Sequence, residues 1–245
     1  MTDNSNLALL WVYLSASPLL GLTMTLVAYT IAYKLYVKTN SNPLFNPVVS
    51  AVAMLIIFLL LADIDYREYF EGAKFVHFLL GPATVALAVP LYQQAGRIRT
   101  LWMPVLLAIV GGVVIASLSA VAVAAMLGAS LETQLSLAPK SVTAPVAMGV
   151  SEKIGGLPSL TAVLVVTTGI LGAVLGAKLF ELFRIKDDAV KGIAMGVTAH
   201  GIGTARAFQI SSQMGAFSGL AMALSALVTA LMLPWIVKYW ALFLQ

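Results

Sequence analysis

The chain has 245 residues, of which 60% are hydrophobic and 10% charged, with a net charge of +4 and no cysteine. Soluble domains carry about 25% charged residues, and the mean hydropathy of +0.97 lies far from such a composition. Disulfide frameworks and thiolate metal sites are excluded outright. Charge-free windows at Asn4–Tyr33, Thr39–Ala62, Phe75–Gly96, Thr100–Leu131, Ile154–Ala177 and Ala207–Val237 are each long enough to cross a bilayer. The predicted fold class is therefore an all-α polytopic membrane protein. About six to eight transmembrane helices are expected, two or three of them broken or re-entrant, in one integral membrane domain over 1–245.

A first helix is predicted from Leu7 to Tyr36, kinked at Pro18, and the retained apolar run lacks the basic leader of a cleaved signal. Lys34 and Lys38 follow it, then the breaker cluster Asn42-Pro43-Leu44-Phe45-Asn46-Pro47. A second helix, Val48 to Ala62, is short for a full span. The charged and aromatic run Asp63 to Lys74 suits a helix at the membrane interface, which completes an N-terminal part over 7–74.

Phe75 to Gln94 contains Pro82 and Pro90, so a broken segment is expected there, closed by Arg97 and Arg99. Leu101 to Leu127 reads as an uninterrupted span. Leu137-Ala138-Pro139-Lys140-Ser141-Val142-Thr143-Ala144-Pro145 then sets a lysine between two prolines. Proline blocks a continuous helix and frees backbone polar groups, which hydrocarbon cannot satisfy. Such backbone belongs against protein or a water-filled cavity, where transporters bind polar solutes. A turn at Glu152 to Gly156 precedes a span over Leu157–Phe183, whose Gly169, Gly172 and Gly176 permit close helix contact. The polar patch Gly196 to Arg206 introduces a last span of about Gly215 to Val237.

Gly81-Pro82-Ala83-Thr84-Val85 matches Ala138-Pro139-Lys140-Ser141-Val142 at an offset of 57, each followed by a second proline. This reads as an internal repeat, with copies at 75–131 and 132–191 and the Gly-rich segment and last helix at 192–245. Charge alone leaves the relative orientation of the copies open. If 75–94 crosses fully and 135–150 dips in and returns, Arg97, Arg99, Arg184 and Lys186 share the cytoplasmic side.

Candidate chemistry concentrates on two stretches. Lys140 either clamps an anionic substrate or snorkels to an interface. The half-helix starting near Thr143 would add its positive end. Thr84, Ser141 and Thr143 either contact substrate or satisfy the carbonyls freed by Pro82, Pro90, Pro139 and Pro145. In His200-Gly201-Ile202-Gly203-Thr204-Ala205-Arg206, the glycines allow close backbone approach to a ligand, and Arg206 offers a fork for a carboxylate. His200 is a candidate proton carrier and equally a packing histidine; His77 reads as structural. The patch does not meet the G-x-G-x-x-G pattern. No metal cluster, nucleophile triad or carboxylate pair is present, so no cofactor, no metal and no enzymatic activity are expected.

Leu79-Leu-Gly-Pro-Ala-Thr-Val-Ala-Leu-Ala-Val-Pro-Leu-Tyr92, Ala138 to Ala147, Ile154-Gly-Gly-Leu-Pro158, His200 to Arg206 and Gly215-Ala-Phe-Ser-Gly219 together resemble the LrgB/CidB family of bacterial membrane proteins. Ala144 stands where that family's motif carries a second threonine. The resemblance implies a multi-pass protein of the bacterial inner membrane that works with a small LrgA/CidA-type membrane subunit. It also implies either a holin/antiholin-like modulator of murein hydrolase export and autolysis, or transport of the kind seen in the plastid glycolate/glycerate translocator. With the residues above, the favoured expectation is a secondary transporter of small monocarboxylates such as glycolate, glycerate, lactate or pyruvate. Its expected partners are the lipid bilayer, a small organic anion, that subunit and further copies of itself, without nucleic acid.

Overall fold

The computed structural model describes residues 19–39 and 45–243, except the side chains of His77, Leu80, Thr84 and residues 239–243. Pro18 and the Asn42-Pro43-Leu44 part of the breaker cluster lie outside the described residues. The described chain is helical throughout and divides into two compact units, with the boundary between Ala86 and Leu87.

The first unit holds α1 (Leu19–Lys38), α2 (Pro47–Leu61), α3 (Tyr66–Phe78) and α4 (Leu80–Ala86). Asn46 starts α2 by accepting from the amides of Val48 and Val49, with Pro47 in the first turn where its missing donor costs nothing. The mixed run after Asp63 forms α3. Its Tyr69 hydroxyl hydrogen-bonds Thr25 of α1 at 2.7 Å. Gly81, Pro82 and Thr84 sit within helical α4.

The second unit holds α5 (Ala88–Gln93), α6 (Ala95–Thr100), α7 (Trp102–Met126), α8 (Leu131–Leu137), α9 (Ala144–Ile154), α10 (Pro158–Leu182), α11 (Asp188–Ile210) and α12 (Ser212–Phe243). Pro90 lies in α5. The core runs along one side of α7, where Val105, Ile109 and Val113 meet Val197 of α11 and Phe217 and Ala221 of α12.

Four helices, α1, α7, α10 and residues Ser212–Lys238 of α12, are long and apolar enough to cross a membrane; the bent pair Tyr66–Val76 and Gly81–Gln93 would make a fifth. The expected count of six to eight spans is thus not reached among the described residues, for physical reasons. The 15 residues of α2 extend only about 22 Å, short of the roughly 30 Å hydrocarbon core. Two other segments turn back instead of crossing.

The first of these is 127–157. Leu157 N–H donates to Ser136 Oγ at 2.7 Å, so the chain leaving α9 returns to the level of α8. Gly155 ends α9 at φ 90°, a conformation glycine adopts without strain. The second is α11, whose ends would lie about 33 Å apart were it straight. Instead Ser211 Oγ donates to the Asp188 carboxylate at 2.7 Å, joining its two ends. The reversal falls at His200 (φ 40°, ψ −130°), which divides α11 into an entering limb, 188–199, and a returning limb, 201–210. Gly203 permits it, because a Cβ there would lie 2.5 Å from Ala199 Cβ and 2.9 Å from the Met195 carbonyl.

The two excursions enter from opposite sides. Arg97 pairs with Asp187 at 2.6 Å, placing the start of α7 beside the base of the α11 hairpin. Helices α7 and α10 are therefore antiparallel, with Arg97, Arg99, Arg184 and Lys186 at one end and the 127–157 excursion at the other.

Candidate functional site

The site forms where the two excursions meet. Ser130 caps α8 by accepting from Thr133 N–H, and the helix runs only to Leu137 because Pro139 supplies no donor. Residues 138–143 close as turns, with Lys140 N–H on the Leu137 carbonyl at 3.1 Å and Val142 N–H on the Pro139 carbonyl at 3.3 Å. The Ser136 carbonyl thereby loses its helical donor. Thr161 of α10 replaces it, its fully buried Oγ1 lying 2.9 Å from that carbonyl and 2.7 Å from Ser151 Oγ. Thr143 occupies the cap position of α9 in extended geometry, although its hydroxyl makes no capping bond, and Pro145 fills the first turn.

Lys140 projects from this turn, half-buried, and its Nζ donates to Ser141 Oγ at 3.0 Å. Among the described residues no carboxylate lies within ion-pair distance of it. It lines an open cleft of about 620 Å³ shared with Ser141, Ser119 of α7, Thr168 of α10 and Thr198 of the α11 entering limb. The cleft continues along α10 past Gly172 and Leu175 to Phe183, toward the basic end of the molecule. Behind the turn, Pro139 and Val142 are sealed into the protein, and Val142 packs on Val165 of α10.

The other excursion reaches the same residue. His200 is 4% exposed, and its Nε2 lies 3.0 Å from the Val165 carbonyl oxygen. A carbonyl only accepts, so Nε2 carries the proton in this arrangement. Twelve residues of entering limb extend about 18 Å, little more than half the bilayer core, which sets the hairpin tip at mid-membrane. Thr204 donates to the His200 carbonyl at 2.8 Å and shares a 2.9 Å hydrogen bond with Ser218 of α12, so the polar groups freed by the kink are paired within the protein. Gly201 is exposed at the tip and Gly203 is buried at the limb contact.

The sequence-predicted residues thus separate. Lys140 and Ser141 share the cleft, and His200 joins them through Val165. Gly201, Gly203 and Thr204 build the hairpin and do not line the cleft. Arg206 lies on the returning limb, where Nη1 donates to Gln209 at 3.0 Å, and it is not among the cleft-lining residues either. Pro139 and Pro145 shape the 138–143 turn, whereas Pro82 and Pro90 lie inside helices α4 and α5. The Thr84 side chain lies outside the described set. Ser119, Thr161, Thr168 and Thr198 escaped the sequence reading, since a lone hydroxyl in an apolar span carries no periodic or spacing signal. Only Thr161 had a prompt, in that a carbonyl freed by Pro139 requires a donor somewhere.

A helical membrane protein with two opposed, interrupted segments meeting at mid-depth beside a cationic cleft is the class defined by this architecture. Residues 25–239 match the model of the LrgB-like family, and the chain belongs to that family. It is similar to the uncharacterised protein YwbG of Bacillus subtilis (strain 168), 35% identical over 90% of this chain and 98% of the relative. It is also similar to the holin-like protein CidB of Staphylococcus epidermidis (strain ATCC 12228 / FDA PCI 1200), 32% identical over 91% of this chain and 96% of the relative. The antiholin-like protein LrgB of Bacillus cereus (strain B4264) is 31% identical over 89% of this chain and 95% of the relative. No solved structure matches the chain.

Proposed function

We propose that this chain is a secondary transporter of small monocarboxylates of the glycolate, glycerate, lactate or pyruvate type, in the bacterial inner membrane and in company with an LrgA/CidA-type subunit. The observation that carries this reading is Lys140, set at a helix break on an open cleft with no carboxylate in ion-pair distance among the described residues. A lysine at membrane depth costs roughly 2.5–3.5 kcal/mol on insertion scales, and such residues usually mark a solute path. An anionic substrate offsets that cost when bound, with Ser141 holding the ammonium in place. The cleft's course along α10 to the basic end supplies an electrostatic approach for an anion. Proteoliposome uptake of a labelled monocarboxylate tests the reading. Lys140→Ala is expected to abolish uptake while preserving the folded protein, and undiminished uptake would reject the assignment.

Two relatives are named holin-like and antiholin-like, which favours a second reading, a holin/antiholin-like modulator of murein hydrolase export and autolysis without a solute site. Dye leakage or altered autolysis that persists unchanged in Lys140→Ala, without monocarboxylate uptake in the parent, supports that alternative.

A further inference from the structure

Two hydroxyls that line the cleft with Lys140 have their protons already committed. Thr168 Oγ1 donates to the Leu164 carbonyl at 2.7 Å, one turn back along α10. Thr198 Oγ1 donates to the Ala194 carbonyl at 2.7 Å in the same way along the entering limb of α11. A hydroxyl has one proton and two lone pairs, so each threonine offers the cleft only an acceptor. Ser119 contributes less, its Oγ making a long 3.4 Å contact with the Ala116 carbonyl. From the 138–143 turn, Lys140 brings an ammonium, and Ser141 accepts from it while keeping its own proton to donate. The cleft is therefore polarised, with donors on the 138–143 turn and acceptors on α10 and α11.

We infer that Thr168 and Thr198 are specificity-determining residues that accept a hydrogen bond from the substrate and so select a 2-hydroxy acid over the 2-oxo acid of equal carbon count. This rests on the monocarboxylate reading of the Lys140 cleft. A carboxylate on Lys140 and Ser141 leaves its carbon-2 substituent in the cleft that the two threonines also line. A hydroxyl there donates its one proton to one of them. A ketone oxygen meets lone pairs instead, unless a threonine gives up its bond to its own helix. Losing one neutral hydrogen bond costs enough to expect about a fivefold preference. The wall also has a structural reason to stay fixed. Thr168 and Thr198 adjoin in sequence Gly169 and Ala199, at the contact where Gly169, Gly172 and Gly176 bring α10 against His200, Ala199 and Met195.

The test is competition of L-lactate, pyruvate and propionate against labelled lactate in proteoliposomes containing the full chain with its LrgA-type subunit. The parent is expected to favour lactate over pyruvate about fivefold. Thr168→Val with Thr198→Val keeps side-chain volume and removes both oxygens. It is expected to abolish the lactate preference, so that lactate, pyruvate and propionate compete alike. Thr198→Ser is expected to retain the preference, which separates oxygen loss from a packing change. Equal competition by lactate and pyruvate in the parent, or a lactate preference that survives the double valine variant, would overturn the inference while leaving the transporter reading intact. Absence of any monocarboxylate uptake in the parent removes both.

Discussion

Replacing Thr161 by valine tests whether the broken segment is held from α10. The Pro139 break leaves the Ser136 carbonyl without a backbone donor, since Lys140 N–H turns to Leu137 instead. Thr161 Oγ1 lies 2.9 Å from that carbonyl, 2.7 Å from Ser151 Oγ and 3.1 Å from the Leu157 carbonyl. Its side chain is fully buried, so water cannot replace it. Valine preserves the volume and removes every one of these contacts. The Leu157 carbonyl retains the Thr161 amide, while the Ser136 carbonyl and the buried Ser151 hydroxyl both lose Thr161, the carbonyl alone costing about 1–3 kcal/mol. At about 2–4 °C per kcal/mol for a chain of this length, the melting temperature should fall by about 5 °C. Tryptophan fluorescence during heating in detergent measures it, and Thr161→Ser, which retains the hydroxyl, should recover most of the loss. A Thr161→Val protein melting within about 1 °C of the parent would refute the reasoning.

Three further outcomes are expected. Gly172→Ala should destabilise by about 1–3 kcal/mol, because the added methyl meets Ala199 Cβ on the facing limb. Gly176→Ala should cost less, since its new methyl meets the thioether of Met195, which can swing aside; equal melting shifts for the two would contradict the limb contact. At the hairpin base, outside the spans, the Ser211 hydroxyl holds the Asp188 carboxyl below its ordinary value, with Lys191 and Arg97 adding to this and burial opposing it. Because the folded-state pKa is depressed, this stabilisation is present above about pH 4 and disappears as pH falls through the lower folded-state value. Ser211→Ala should therefore flatten the stability loss between about pH 5 and 3 seen by denaturant titration, and an unchanged profile would count against the tie. The chain contains no cysteine, so single cysteines introduced at Glu132, Lys153, Arg99 and Lys186 report sidedness to an impermeant maleimide. The first two should label from one face of the membrane and the last two from the other. Opposite labelling of Glu132 and Lys153 positions would mean that 127–157 crosses.

The sequence by itself determined the solvent of this protein and the places where its helices stop. Hydropathy located α7, α10 and the body of α12, because about 25 apolar residues have no other stable environment. Pro139 and Pro145 located the 138–143 turn because Pro139 lacks the N–H needed to continue α8 and Pro145 suits only the first turn of the helix that follows. The Gly169, Gly172 and Gly176 spacing announced a close helix contact without naming its partner, which proved to be Met195, Ala199 and His200. Tertiary structure decided everything that depends on which elements meet. The reversal at His200 rests on the clearance at Gly203 and the tie from Ser211 to Asp188, neither of which the Gly-rich polar patch specifies by itself. The similar proline patterns at 81–90 and 138–145 also parted company. Pro82 lies within α4 and Pro90 within α5, while Pro139 lies in the non-helical turn and Pro145 in the first turn of α9. Arg206 moved off the cleft because a residue six positions beyond a reversal lies a turn and a half back along the returning limb. The cleft is lined instead by Thr168 and Thr198, whose hydroxyls donate to the Leu164 and Ala194 carbonyls of their own helices.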